Sequence, residues 1–459
     1  MRMGAAVAAA LVAVAAGAAT PKYVFLFIGD GMSTPQRMVA EEFAAATGHG
    51  EFAMNRLPYQ TNTRTRSRDA IITDSAAAGT AIACGEKTAN KMIGVRADGS
   101  RMESVAEVAK RRGMKVGIVT TVTMVHATPA CFYAHNRNRG ASYQIALDLV
   151  ASGFDYFAGG GVYDKYDDRD DPKYRGEILS LARQAGYTVN RDDRKAWAAL
   201  GPGSKSWSIF GDNGMMFAID SDGSEPTLAE LVAKGVEVLD NPRGFFVMCE
   251  GGRVDYACHA NDAATTLRDV LALDAAVKVA LAFLDRHPDE TLVITTGDHE
   301  TGGMSMGFAG IGGQFRVEKL ATQRISTEKF SEWVKAEIRA RDGKLTFGEM
   351  LPKVRELFGL DEFTKAERKA LEKAFAQDVE YVRVKLQDTK AHDVKRRYVF
   401  AQAVKNVLNA RAGVGWSSGA HTALPTFTTA KGCGADILVG MTENADIGMR
   451  LKALLDSGR

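Results

Sequence analysis

Tyr23-Val24-Phe25-Leu26-Phe27-Ile28-Gly29-Asp30-Gly31-Met32 is an apolar run that stops at an aspartate held between two glycines. A continuous apolar run, rather than an alternating one, is the pattern of a strand buried on both faces, as in the middle of a parallel sheet covered by helices. The acid at its end stands where open α/β sheets build their sites, outside the carboxyl ends of the strands. For a single example, a turn aspartate is the plainer account.

The pattern recurs. Lys115–Thr121 reads as a second buried strand, Phe245–Cys249 as a third and Thr291–Thr296 as a fourth. The third runs into Glu250-Gly251-Gly252-Arg253-Val254-Asp255-Tyr256-Ala257-Cys258-His259, the fourth into Gly297-Asp298-His299-Glu300-Thr301-Gly302-Gly303. Helix patterns lie between them. A capping box at Ser100-Arg101-Met102-Glu103 opens one, and another carries a stripe of Leu267, Val270, Leu271, Val277, Leu281 and Leu284, closing at His287-Pro288. Asp436–Gly440 reads as one more strand. This rhythm predicts an α/β fold of three layers, αβα, with a large, mostly parallel central sheet and the site at the strand carboxyl ends. Asp255 and His259 are four residues apart, so one helical turn puts both on one face, able to share a metal. With three strand ends each delivering a carboxylate, coincidence becomes a poor explanation.

Thr73-Asp74-Ser75-Ala76-Ala77-Ala78-Gly79-Thr80 supplies the nucleophile candidate. Ser75 follows an acid and leads into small helix-tolerant residues, which suits a helix N-terminus, where backbone N–H groups favour an anionic oxygen. His126-Ala127-Thr128-Pro129-Ala130 and the later Arg139 add a histidine, a hydroxyl and a guanidinium fork able to bind two phosphate oxygens; on local sequence alone Arg139 is equally a surface arginine. His421 sits in Gly419-Ala420-His421-Thr422. Three histidines and several carboxylates without a thiolate match zinc at N/O sites, and carboxylates with a hydroxyl suit magnesium.

The chain has 459 residues and a formal net charge of +2, with no basic stripe, so nucleic acid is not expected as a specific partner. Residues 1–19, with Arg2 before an apolar run ending in small residues, read as a signal peptide. Its run is shorter than the roughly 18 apolar residues of a membrane span, as is every other, so a periplasmic or secreted protein without an integral membrane segment is expected. Cys84, Cys131, Cys249, Cys258 and Cys433 define no disulfide framework, though export would permit one or two bridges. Asp164–Asp171 matches no calcium loop and reads as a solvated loop within a Gly-, Asp- and Arg-rich stretch. Residues 308–413 change to charged amphipathic helices, including a box at Thr364-Lys365-Ala366-Glu367, and are expected as a helical insertion in a core of 20–307 and 414–459.

As an ordered set, Phe27–Met32, Thr73–Ala77, Ala127–Ala130, Glu250–Asp255 with His259, Thr296–Gly303 and Ala420–Thr422 resemble the motifs of the alkaline phosphatases, in a bacterial type with a longer helical insertion. The resemblance implies phosphate monoester hydrolysis with two zinc ions and one magnesium. It gives Ser75 the role of a nucleophile that becomes phosphoserine, and Arg139 that of the phosphate clamp. One zinc would take Asp255, His259 and His421; the other Asp298, His299 and Asp30, with Asp30 bridging to magnesium at Thr128 and Glu250. Asp74, His126 and Tyr256 are implied to surround these ligands: His126 stands where the enterobacterial type has an acid, Tyr256 where a basic residue is common. A homodimer is left open. The competing readings are a phosphodiesterase of the same superfamily and a secreted zinc- or phosphate-binding protein without turnover; a sulfatase would need a Cys-x-Pro-x-Arg segment, which is absent around Ser75.

Overall fold

The computed structural model describes residues 20–162, 173–387, 399–440 and 442–457. The expected signal sequence, the acid run Asp164–Asp171 and His392 lie outside them.

Ten strands form one sheet: β1 (Tyr23–Gly29), β2 (Tyr59–Arg64), β3 (Lys115–Thr123), β4 (Tyr156–Gly160), β5 (Thr188–Arg191), β6 (Ser206–Ile209), β7 (Phe245–Gly251), β8 (Thr291–Gly297), β13 (Thr426–Gly432) and β14 (Thr442–Glu443). Three short pairing partners, β9 (Glu300–Thr301), β10 (Met304–Met306) and β11 (Val414–Trp416), and a fourth, β12 (His421–Thr422), stand outside it. The spatial order is β14-β2-β13-β8-β1-β7-β3-β4-β6-β5, and β13 alone runs against the others. The centre, β8-β1-β7-β3, consists of the four continuous apolar runs.

Alternation along β1 sends Phe25 and Phe27 to one apolar layer and Val24, Leu26 and Ile28 to the other, all fully buried. The first layer is shared with helix Ala263–Arg286 through Leu267, Val270 and Val277. The second is shared with helices α1 to α3 only in part: α2 (Ser75–Cys84) and α3 (Val105–Arg111) pack there, whereas α1 (Thr34–Thr47) contributes Val39 and Phe43 to the first. The three layers are those expected.

Helices Thr327–Ala340, Phe347–Phe358, Lys365–Gln387 and Val399–Ala412 fill the expected helical region. Phe330, Phe358, Phe375 and Phe400 meet at its centre, with ring centroids 4.9 Å apart for Phe330–Phe358 and 5.3 Å for Phe375–Phe400. This apolar cluster continues into the first layer. Chain entry and exit are adjacent, since Met306 pairs with Val414 across β10 and β11.

Several expectations give way. The helix expected at Ser100 starts four residues later, where Ser104 and Glu107 form the capping box; Asp98 accepts from the Ser100 N–H and holds that residue in a turn. Asp436–Gly440 is not a strand: Ala435–Leu438 is a single 3₁₀ turn that buries Ala435 and Leu438 on one side and leaves Val439 in solvent. The strand of this region is the threonine-rich β13. The Gly- and Asp-rich stretch after Phe154 contains β4, β5 and β6 at the sheet edge. All five cysteines are free and buried. Among the described residues no helix is long and apolar enough to cross a membrane.

Gly297 ends β8 with the backbone of the first strand's turn against it. A Cβ there would lie 1.8 Å from the Met32 carbonyl oxygen, which cannot move without shifting the Asp30 turn. Gly297→Ala is therefore expected to destabilise the fold by about 3 kcal/mol, the upper end of overpacking costs, measured as a lowered denaturation midpoint at constant slope.

Candidate active site

In-register pairing places the site. Gly29 lies opposite both Gly251 and Gly297, and Ile28 opposite Glu250 and Thr296, so β7, β1 and β8 end level. Glu250, Asp30 and Asp298 are thereby delivered to one place, each fully buried. Gly31, at φ +69, allows the turn after Asp30; its N–H and that of His299 both donate to Asp298 Oδ1, at 3.1 and 2.9 Å. Thr128 Oγ1, on the short helix α4 (Ala127–Ala130), donates to Asp30 Oδ2 at 3.2 Å and Asp298 Oδ2 at 3.5 Å.

Ligand atoms form three groups, each within 4.8 Å: Asp255, His259 and His421; Asp30, Asp298 and His299; Asp30, His126 and Glu250. The first is informative in its proton arrangement. His259 Nδ1 meets the Gly419 carbonyl at 2.8 Å and His421 Nδ1 the Thr73 carbonyl at 2.9 Å; a carbonyl only accepts, so both Nδ1 atoms carry the proton. In the neutral rings both Nε2 atoms are then bare lone pairs, yet they face each other at 3.2 Å, with Asp255 Oδ2 at 3.3 Å from His259 Nε2 and Oδ1 at 3.8 Å from His421 Nε2. Acceptors converging on one point are what a cation site requires. In the second group His299 Nε2 lies 3.3 Å from Asp30 Oδ1 and from Asp298 Oδ2, and the His299 ring stacks on that of His421 with centroids 3.7 Å apart.

The third group differs from expectation. His126 Nδ1 approaches Asp30 Oδ2 and Glu250 Oε1, both at 3.7 Å, whereas Thr128 reaches Asp30 and Asp298. His126, expected only beside the ligands, is thus positioned as one of them. Asp30 Oδ1, facing the second group, and Glu250 Oε1, facing the third, are buried without a hydrogen-bond partner, a costly state that a cation in each would relieve. Thr120, level with Glu250 on β3, donates to Glu250 Oε2. Tyr256 keeps its expected place nearby, its ring edge-on to His126 at 6.1 Å and under the Arg253 guanidinium at 5.4 Å.

Titration follows from this crowding. Burial, then the Asp298 charge, holds the Asp30 carboxyl well above the usual range; burial and the Asp255 charge push Asp298 up to about 7. Burial pushes the His299 imidazole down to about 4 and lowers His421. For Asp255 burial acts upward, but once the imidazoles are protonated a hydrogen bond from His259 and the positive charges on His299, His259 and His421 outweigh it and hold it below the usual range.

Ser75 is the first residue of α2 and 2% exposed, its Oγ 3.1 Å from His299 Nε2. Asp74 caps the helix, Oδ1 accepting from the Ala77 N–H at 3.0 Å, and its Oδ2 accepts from Arg139 Nη1 at 3.0 Å. Arg139 Nη2 is 3.3 Å from His126 Nε2, so the guanidinium lies along the third group's edge. Sequence reasoning missed what holds this pair. Asn90 accepts from the Asp74 N–H at 3.1 Å; Lys91, in a left-handed conformation at φ 72, gives its N–H to Asp74 Oδ2 at 3.0 Å and its carbonyl to the Arg139 N–H at 2.9 Å. No local signal marks these residues, because two of the three contacts are backbone.

A family model described as alkaline phosphatase matches residues 21–158 and 182–457. Alkaline phosphatase 4 of Bacillus subtilis (strain 168) is 30% identical over 453 residues, covering 95% of this chain and 89% of that protein. Streptomycin-6-phosphate phosphatase of Streptomyces griseus is 32% identical over 336 residues, 62% of this chain and 74% of its own. Among solved structures, the cold-active alkaline phosphatase from the psychrophile Shewanella sp. aligns at a TM-score of 0.80 and 25% identity, covering 94% of this chain and 99% of that one. The alkaline phosphatase of Thermus thermophilus aligns at 0.77 and 28% identity, covering 96% and 92%. Fold and site together define an α/β protein with candidate metal-ligand groups at the carboxyl ends of its strands. The chain belongs to the alkaline phosphatase family.

Metal removal has a signed consequence for stability. His299 and His421, both lowered in the fold, act the other way, adding stability as pH rises past the ordinary imidazole value of about 6.5, and this contribution is complete about one unit above it. Asp298, at about 7 in the fold, and Asp30, also raised, then bind more protons folded than unfolded, and stability falls as pH rises through 7. Chelated protein is expected to lose melting temperature between about pH 7.5 and 9, beyond the imidazole contribution, and Asp298→Asn to flatten that decline; a flat profile for the unsubstituted chain would contradict it.

Proposed function

We propose that this enzyme hydrolyses phosphate monoesters through a phosphoserine on Ser75, with Asp255, His259 and His421 holding one zinc, Asp30, Asp298 and His299 a second, and Asp30, Glu250 and Thr128 a magnesium. The observation that carries the reading is the Ser75 hydroxyl at a buried helix N-terminus, within reach of His299 and next in sequence to Asp74, which accepts from Arg139. The donor sets fit the ions: bare Nε2 lone pairs facing a carboxylate suit zinc, and the orphaned Asp30 and Glu250 oxygens require a cation. His126 adds a nitrogen donor that magnesium does not favour, so zinc competes for the third group. When bound, these ions supply positive charge that lowers the pKa of the serine hydroxyl and neutralises charge on the leaving oxygen.

Ser75 Oγ attacks phosphorus as the ester P–O bond breaks in line; its proton passes to solvent and the departing alcohol takes one up. Water then attacks the phosphoserine, the Oγ–P bond breaks, and inorganic phosphate leaves with Ser75 restored. Ser75 opens α2, and the positive end of the helix dipole there favours the charge on Oγ. Arg139, aimed by Asp74, presents its fork to two non-bridging oxygens, a demand that a monoester dianion meets better than a diester. Burial of Ser75 and the acids excludes bulk water and strengthens these interactions. The reading includes export through residues 1–19 and a core of 20–307 and 414–459 with 308–413 inserted, supported by the adjacent Met306 and Val414.

Ser75→Ala is expected to lower monoester turnover at least about a thousandfold while metal content, measured by mass spectrometry, stays unchanged. Loss of metal with activity would recast Ser75 as structural, and metal-loaded protein without turnover would favour a binding protein. Arg139→Ala is expected to lower kcat/KM for an aryl phosphate monoester about a hundredfold and to narrow its advantage over the matching diester; a diester preference in the unsubstituted enzyme would favour the phosphodiesterase reading.

A further inference from the structure

His421 reaches its partners by an unusual route. It follows the helices of 308–413 and a turn at Ser417–Gly419, and the pair that seats it, β12 on β9, is two residues long on each side. So short a ladder is not stable on its own. Something else must fix the imidazole.

Glu300 lies in that pair, directly opposite Thr422, fully buried and adjacent to His299. Its carboxylate accepts four hydrogen bonds. Oε1 takes Gln36 Nε2 at 2.6 Å and the Met304 N–H at 3.2 Å; Oε2 takes the Gly303 N–H at 3.0 Å and the Thr422 hydroxyl. Gln36 continues the chain of contacts, giving Nε2 also to the Thr301 carbonyl at 3.0 Å while its Oε1 accepts from the Ser33 N–H at 3.0 Å. Ser33 Oγ in turn donates to the Pro425 carbonyl at 2.7 Å. Residues 421–425 are thereby tied at both ends to the first turn of α1, the turn that follows Asp30. Thr301 completes the arrangement from the other side, donating to Asp255 Oδ1 at 2.6 Å.

We infer that Glu300 is a positioning residue: through Thr422 it fixes His421 against Asp255 and His259, and so sets the ion affinity of that group without touching the ion. This rests on the reading of Asp255, His259 and His421 as ligands. The Ser33–Gln36–Glu300–Thr422 strut anchors the His421 hairpin to the first turn of α1. A buried carboxylate with four donors is satisfied at every lone pair, and removing the hydroxyl of Thr422 frees the hairpin without unfolding the strut.

The test is a cobalt(II) titration of chelated full-length protein, read by the visible d–d absorption and by metal content, for Thr422→Val, Thr422→Ser, Glu300→Gln and His421→Ala. Thr422→Val and Glu300→Gln are expected to weaken one cobalt equivalent about ten- to a hundredfold, the same equivalent that His421→Ala loses, with the others unchanged. Thr422→Ser, which keeps the hydroxyl, is expected to restore it. Wild-type affinity at every equivalent in Thr422→Val, with only a lower melting temperature, would overturn the inference, as would failure of Thr422→Ser to restore binding. If His421→Ala loses no equivalent, the ligand reading itself fails and the strut with it. Should Glu300→Gln not fold, the Thr422 pair decides alone.

Discussion

Acidic side chains held out of water within 4.8 Å of one another repel, and the register of β7, β1 and β8 forces them there. Nothing in the backbone lets one carboxylate retreat, because Glu250 is in its strand and Asp30 and Asp298 follow theirs by one residue on turns closed by glycine. The fold therefore carries a concentrated negative charge at the sheet's edge that protons or cations must balance. Asp30 and Asp298 respond by holding protons to higher pH than ordinary carboxyls; His259 and His421, whose Nδ1 protons are engaged by carbonyls, point to the alternative. Every other element of the site is placed relative to this edge: α2 brings Ser75 to it, α4 brings Thr128 beneath it, and the chain's last third returns to close it with His421.

The central sheet was legible because its strands are covered on both faces. Tyr23–Ile28 and Thr291–Thr296 can be nothing but buried, and burial on both sides leaves an unbroken apolar signature. The outer strands lack it. In β2 burial alternates along Tyr59–Arg64, and β13 is Thr-Phe-Thr-Thr-Ala-Lys-Gly, whose Thr428 bonds to threonines of both neighbouring strands, Thr63 of β2 and Thr296 of β8. Polar strands of that kind read as loop. The capping boxes at Ser100 and Ser104 are equivalent locally, and the choice is made by a distant contact, Ser104 Oγ to the Phe132 carbonyl at 2.7 Å.

The site residues were legible for a different reason: titratable groups at strand ends repeat, and repetition across distant segments is information that no one segment holds. What was not legible depends on side-chain direction. His126 sits two residues before Thr128, and nothing in that spacing says which of them faces Glu250. Lys91 acts through its backbone N–H and carbonyl, Asn90 through a side-chain oxygen on a backbone N–H, and Glu300 was hidden in a motif whose neighbours, Asp298 and His299, carried the attention.

The route by which His421 arrives has a further consequence, for folding. Its contact with Thr73 spans 348 residues and that with His259 spans 162, so the first metal group exists only after nearly the whole sheet and the intervening helices are in place. Contacts of such sequence separation form late, since the entropy of closing long loops must be met before they return any stabilisation. A nascent or truncated chain can present Asp255 and His259 on their helix, yet it lacks the third donor. Ion capture at that candidate group would thus be a signature of completed folding, and a chain that bound tightly there would already have closed its last loop.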